Sequence, residues 1–153
     1  MSELSAKVKQ ASELAANGSI GGNNSKVNEI LESLTLPKDD IASFTYLVEG
    51  PNLTASLNLS RSFVPYHIHV HHDELLYVLR GKGDFRIGRD IFNFEPGNVL
   101  YVPMNTIHGA KIDSDLKPLS AYTPRFDIRN PDRVFVNEEG TPIEASRAAS
   151  SSQ

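Results

Sequence analysis

Between Tyr66 and His108 lie four side chains of the kinds that hold metal ions: His67 and His69, then Glu74, then His108 well downstream. Imidazole favours Fe, Ni, Cu and Zn, and a carboxylate adds charge and hardness, so three His and one Glu suit a first-row divalent ion. An ion held by four side chains keeps one or two positions for water or substrate. There it polarises a carbonyl or hydroxyl, lowers the pKa of bound water or, as iron, binds O2. Substrates for such a centre are small and offer an oxygen pair: a diketone, enediol, hydroxy acid, catechol-like diol or sugar. A single strand histidine is usually structural or exposed. Here four of the five histidines fall between positions 67 and 72 and the fifth follows a proline turn, which surface decoration explains poorly.

Strands must position these groups. Residues i and i+2 of a strand share a face, so His67 and His69 point side by side. His71 has the same parity, so His69/His71 is a competing pair. A hairpin bend at about Val70–Asp73 would return Glu74, at the start of the next strand, beside the first strand. The gap before Glu74 suits the His67/His69 pair and is cramped after His71. His67 and His69 are therefore the favoured ligands, with His71 and His72 at the rim. Leu76 and Val78 share the face of Glu74, which leads that carboxylate into an apolar interior, where an unpaired charge would be costly. His108 comes from another strand, after a turn at Gly97, a strand over Asn98–Val102 and a second turn at Pro103. His71, by parity, is a candidate proton shuttle at the mouth of the site. Tyr101, with Tyr66, Tyr77 and Tyr122, is a candidate hydrogen-bond donor, acid or base. Arg61, Arg86, Arg89 and Arg125 are candidates for orienting an anionic substrate, although arginines in polar hairpins are more often solvated.

The rest of the chain reads as a frame for this segment. Residues 3–16 have helix formers and a 3.6-residue pattern through Leu4, Val8, Ala11 and Leu14, broken at Asn17-Gly18. A second helix carries Val27, Ile30, Leu31 and Leu34 on one stripe, with Asn24 or Ser25 as cap and Pro37 as terminator. From Ile41 the texture changes to short strands. Leu53, Ala55, Leu57 and Leu59 alternate with polar residues, and further strands are expected over 43–48, 66–71, 74–80, 83–88, 90–94, 99–102, 107–112, 118–123 and 133–136. Gly81-Lys82-Gly83, Glu95-Pro96-Gly97 and Pro103-Met104-Asn105 read as turns. Many short strands without intervening helices predict an all-β sandwich or barrel, best a double-sheet jelly roll. The expected organisation is a helical extension over 1–40, a β-barrel domain over 41–140 and a disordered tail over 141–153.

At 153 residues the chain is long enough for one domain with its own core. A net charge of −4 without a Lys/Arg cluster argues against nucleic acid as a partner. No apolar run is long enough to span a membrane and no leader opens the chain, so a cytoplasmic protein is the default expectation. The absence of cysteine excludes disulfides and thiolate metal sites.

The segment His67-X-His69-X4-Glu74-X6-Gly81 resembles the first conserved motif of the cupin superfamily, and Gly97-X5-Pro103-X-Asn105-X2-His108 resembles the second. The resemblance implies a six- to eight-stranded barrel (a jelly roll or double-stranded β-helix). It also implies a 3-His/1-Glu centre near the axis for one divalent ion (Fe, Mn, Ni or Zn), and a homodimer. Two positions depart from the pattern: Asn105 stands where the second motif usually has Gly, and Ile112 where it usually ends in Asn. Asn also tolerates a left-handed turn. The change at Ile112 bears on substrate contacts or on the groups behind the ligands. The expected function is metal-dependent oxygenase or isomerase/lyase chemistry on a small oxygenated substrate. The alternatives are a non-catalytic module that binds a small molecule or sugar, and a storage-type barrel.

Overall fold

Alternating side-chain polarity and glycine- or proline-bearing turns select eight strands, and the computed structural model describes residues 24–144. The strands are β1 (Ala42–Glu49), β2 (Thr54–Ser60), β3 (Phe63–His69), β4 (Asp73–Ile87), β5 (Asp90–Phe94), β6 (Val99–Val102), β7 (His108–Thr123) and β8 (Arg133–Phe135). One helix, α1 (Val27–Ser33), lays the buried Leu31 against β2. Its N-cap is Lys26 with no side-chain cap bond, rather than the expected Asn24 or Ser25, and the chain turns extended at Leu34, ahead of Pro37. The helix expected over 3–16 lies outside the described residues, as does the tail expected over 141–153 except for 141–144, which are not disordered: Pro142 bridges Val136 and the amide of Ile143 donates to the carbonyl of Phe135.

The two longest strands organise the others. β4 and β7 run antiparallel from Asp73↔Thr123 to Ile87↔His108. The other edge of β7 carries β2 along its C-terminal half and β3 along its N-terminal half. The other edge of β4 carries β6 and β5. β1 extends β2, and β8 extends β3. Each long strand is thus flanked by two short ones and the sheet curls over on itself, giving the all-β jelly-roll barrel. Leu76, Val78, Phe85, Phe94, Leu100, Val102 and Leu116 pack its inner face. On β4 the alternation is strict: Glu74, Leu76 and Val78 are buried, while Leu75 and Tyr77 face outward beside Tyr101 and Val99 of β6. Among the described residues no helix is long and apolar enough to cross a membrane.

Three expectations need correction. β4 and β7 each join two strands that the sequence presents as separate. Gly81-Lys82-Gly83 is not a turn. The strand continues through it with shifts of register against β7. Gly81 has φ 105°, and a Cβ there would lie 2.5 Å from the carbonyl oxygen of Asp115, so glycine is required by a passing backbone rather than by a reversal. Finally, Val70–Asp73 does not close a hairpin, because β3 and β4 do not pair with each other. The chain leaves β3 and crosses to the other side of the barrel, so Glu74 meets the histidines from across the interior.

The turns at Pro96–Gly97 and Met104–Asn105 form as expected, and Asn105 adopts the left-handed conformation with φ 58°. Gly97 also has positive φ (98°), but a Cβ there would meet nothing. Gly97→Ala therefore carries the backbone cost alone, about 1 kcal/mol, whereas Gly81→Ala adds a backbone clash and should cost about 2–4 kcal/mol. Urea unfolding of the two variants measures the difference, which the clash accounts for.

Candidate metal centre

His67 and His108 are directly opposed residues of β3 and β7, so their side chains project from one face, with ring centroids 4.1 Å apart. His69, two residues on, projects the same way. Nitrogens of His67, His69 and His108 lie within 4.8 Å of one another. Glu74 Oε2 stands 3.6 Å from His69 Nε2 and 3.6 Å from His108 Nε2. None of the four residues is more than 8% exposed. The amide of Asn105 donates to the carbonyl of His69 at 2.7 Å, tying the turn before His108 to the end of β3. The barrel thus brings together His67, His69, Glu74 and His108, and sets His71 apart from them.

The outer ring nitrogens fix which lone pairs point inward. Nδ1 of His67 is 2.7 Å from the carbonyl of Pro65, and Nδ1 of His108 is 3.0 Å from that of Thr106. A carbonyl only accepts, so both Nδ1 atoms carry the proton and both Nε2 atoms are left as donors to a cation. Nδ1 of His69 faces Asp132 Oδ1 at 3.5 Å, which turns its Nε2 toward the centre as well. Nε2 of His108 is buried without a hydrogen-bond partner. An electron pair facing a carboxylate oxygen across a buried gap is costly unless a cation or proton lies between them. Two donors each about 2.1 Å from one ion stand roughly 3–3.5 Å apart, so the observed 3.6 Å spacing needs little contraction. The residues fit a divalent ion.

Burial pushes the Glu74 carboxyl up, but hydrogen bonds and positive charge from His108 and His69 outweigh it and hold the group well below the usual carboxylate range; the carboxylate requires positive charge at this point, whether carried by a proton on an imidazole or by an ion. Burial, with the neighbouring His108 and His69, holds His67 well below the usual imidazole value and so unprotonated. Tyr122 lines the same cavity. Burial and the Glu74 charge raise its phenol well above 10, so it is a neutral group there, accepting from Asn58 Nδ2 at 3.2 Å.

The remaining candidates stand elsewhere. His71 is exposed. β3 ends at His69, and alternation ends with it, so only the amide of His71 is engaged, donating to Asp132 Oδ2 at 2.7 Å. His72, expected at the rim, turns inward instead and is 2% exposed. It packs against Tyr122 and Phe126, with Nδ1 3.0 Å from Asp132 Oδ2. Tyr101 faces outward, 53% exposed, because Leu100 and Val102 take the inward positions of β6. Its hydroxyl donates to Asp73 Oδ2 at 2.8 Å. Tyr66 stacks under the Arg86 guanidinium. Arg61 pairs with Asp115, Arg86 donates to the carbonyls of Gly88 and Glu138, and none of the four arginines proposed from sequence lines the cavity. The sequence reading missed Asp132, which braces His69 and His72, and Arg133, which does line the cavity. The expected strand over 133–136 put Arg133 and Phe135 on a common face, but nothing local says which way that face looks.

Two predictions follow from Asp132 and His72. Asp132→Asn removes the charge behind His69 and should weaken divalent-ion binding about 10–100-fold, measured by competition with a chromophoric chelator. Burial and His69 lower the His72 pKa from 6.5 to about 4, against the opposing pull of Asp132. In chelator-treated protein the unfolded chain then takes up a proton that the folded one refuses. The stability from burying neutral His72 is therefore complete above about pH 6.5, declines as pH falls, and levels off below about 4. The loss should be roughly 1–2 kcal/mol after allowance for solvent screening. His72→Phe, which keeps the packing against Tyr122 and Phe126, should flatten that part of a melting-temperature profile.

A family model described as a Cupin domain matches residues 60–123, the stretch that contains all four donors. An uncharacterized protein of Aquifex aeolicus (strain VF5) is 28% identical over 89 residues, covering 58% of this chain and 74% of that protein. Among solved structures, KdgF from Halomonas sp. superposes with a TM-score of 0.59 at 18% identity, over 72% of this chain and 100% of that one. A protein with a double-stranded β-helix domain from Klebsiella pneumoniae gives 0.58 at 13% identity, over 71% and 95%. The nucleoside dehydratase Pac13 gives 0.53 at 19% identity, over 69% and 82%. The similarities to solved structures are to the fold, and the family match places a Cupin domain over residues 60–123, across both histidine-bearing segments.

Proposed function

We propose that this protein is a metal-dependent enzyme acting on a small oxygenated substrate, by oxygenase or isomerase/lyase chemistry, with His67, His69, Glu74 and His108 holding one divalent ion. The observation that carries the reading is the gathering of three buried imidazoles, with nitrogens within 4.8 Å of one another, and of the buried Glu74 carboxylate 3.6 Å from two of them, at the wall of a cavity of about 380 Å³. That volume suits a small metabolite rather than a polymer segment. A bound ion would supply Lewis acidity toward a substrate oxygen and toward water. The chain's own residues supply the rest. His67, His69, His108 and Glu74 would hold the ion at the cavity wall. Leu76, Phe85 and Phe126 keep bulk water from its walls. Tyr122 stays protonated at neutral pH, which makes it a polar wall group and not a base. Support from outside the chain is limited to the fold, which also serves a nucleoside dehydratase.

Full-length protein should take up one equivalent of Fe, Mn, Ni or Zn. His67→Ala and His108→Ala should each lower that affinity by at least about 100-fold, since each removes a direct donor. Metal-loaded protein is then assayed, with and without O2, against diketones, diols, hydroxy acids and sugar acids. Turnover that disappears in both variants supports the proposal. Wild-type protein that binds none of the four ions refutes it, and metal-loaded protein that binds members of the panel without converting them leaves a binding module instead.

A further inference from the structure

β8 runs beside β3 with His67 opposite Phe135, Ile68 opposite Val134 and His69 opposite Arg133. Directly opposed residues of an antiparallel pair share a face, so Arg133 is carried on the same side as His69, and it lines the same cavity. Its guanidinium carbon lies 4.9 Å from the centre of the Phe135 ring, and its Nε is buried with no hydrogen-bond partner. Other arginines are engaged: Arg61 with Asp115, Arg80 with Glu32, and Arg129 with Asp127 and Glu49. Among the described residues no carboxylate lies within ion-pairing distance of Arg133. The adjacent carboxylate, Asp132, accepts from the amide of His71, lies 3.0 Å from Nδ1 of His72 and 3.5 Å from Nδ1 of His69, and favours the Arg133 cation only from beyond ion-pairing distance.

Charge counting gives this arrangement a direction. Guanidinium remains protonated even where burial disfavours it. A divalent ion and Arg133 would together bring three positive charges, against the two negative charges of Glu74 and Asp132. Arg133 then leaves one positive charge without a counterpart, on a rigid planar fork whose natural complement is a carboxylate. Around it the cavity offers Leu76, Phe85, Phe126 and Phe135, which suit the carbon body of an organic acid.

We propose that Arg133 receives a carboxylate of the substrate, so that the site takes small organic acids whose second oxygen function is presented to the ion that His67, His69, Glu74 and His108 would hold. The assignment of that second function rests on the metal-centre reading above, whereas the carboxylate contact rests on Arg133 alone. The test is calorimetric binding of mandelate and 2-oxobutyrate, each against its neutral amide and against inorganic phosphate. Zinc-loaded and chelator-treated full-length protein are compared, as wild type, Arg133→Gln and Arg133→Lys. The expected result is that at least one acid binds more tightly than its amide. Arg133→Gln weakens the acid at least about tenfold, leaves the amide and the zinc stoichiometry unchanged, and Arg133→Lys restores part of the loss. The proposal is overturned if neither acid binds, if amides bind as well as acids, or if Arg133→Gln binds the acids like wild type. Phosphate binding through Arg133 while both acids fail replaces the carboxylate with a phosphate ester. If zinc is not taken up but Arg133-dependent acid binding persists in the chelated protein, the metal reading fails while the carboxylate contact stands.

Discussion

Electron pairs buried face to face repel one another, and a fold that gathers four of them must hold each in place from behind. That constraint organises the interior of this barrel. Nε2 of His108 and Oε2 of Glu74 confront each other without a proton donor between them, and His69 and His67 complete the circle. The histidines are turned inward by acceptors at their backs: the carbonyls of Pro65 and Thr106, and the carboxylate of Asp132. Two of these acceptors lie only two residues before the histidine they brace, so ring orientation is set by backbone rather than by packing. The third comes from the segment just before β8, which is why that short strand matters more than its three residues suggest.

The long strands supply the precision. β7 begins at His108 and is paired there on both edges, with β3 at His67 and with β4 at Ile87. At its other end it lies opposite Glu74 through Tyr122. One strand therefore references donors from three separate segments. Glycine at position 81 lets β4 stay against β7 despite its irregular register, so the two strands remain in contact from one end of the barrel to the other.

What the sequence made legible was whatever depends on short range. The parity of His67 and His69, the inward run Glu74–Leu76–Val78, the turns at Gly97 and Asn105 and the left-handed Asn105 follow from period-two alternation and turn chemistry within a few residues. The misreadings are all matters of long range or of where an element stops. His71 inherits the parity of its neighbours only if β3 continues, and it does not. Its neighbour His72 therefore occupies the buried position instead. Gly81 and Gly83 look like a reversal when the nearby backbone of β7 is unknown. The outward placement of Tyr101 depends on which face of β6 meets the core, and the inward placement of Arg133 on which strand β8 joins. Neither is encoded locally.

The ligand-bearing pairings also bear on how the protein comes to exist. The contacts that assemble the centre, β3 with β7 and β4 with β7, join segments far apart along the chain, the kind of topology that folds slowly because loop closure precedes any gain from contact. During synthesis His67, His69 and Glu74 leave the ribosome well before His108, and β8, which flanks β3, follows later still. No complete set of donors exists until the six strands before β7 have emerged. Any ion that these residues hold would thus meet strands already paired, and a choice among competing metals would fall to a preformed cage rather than to a nascent chain.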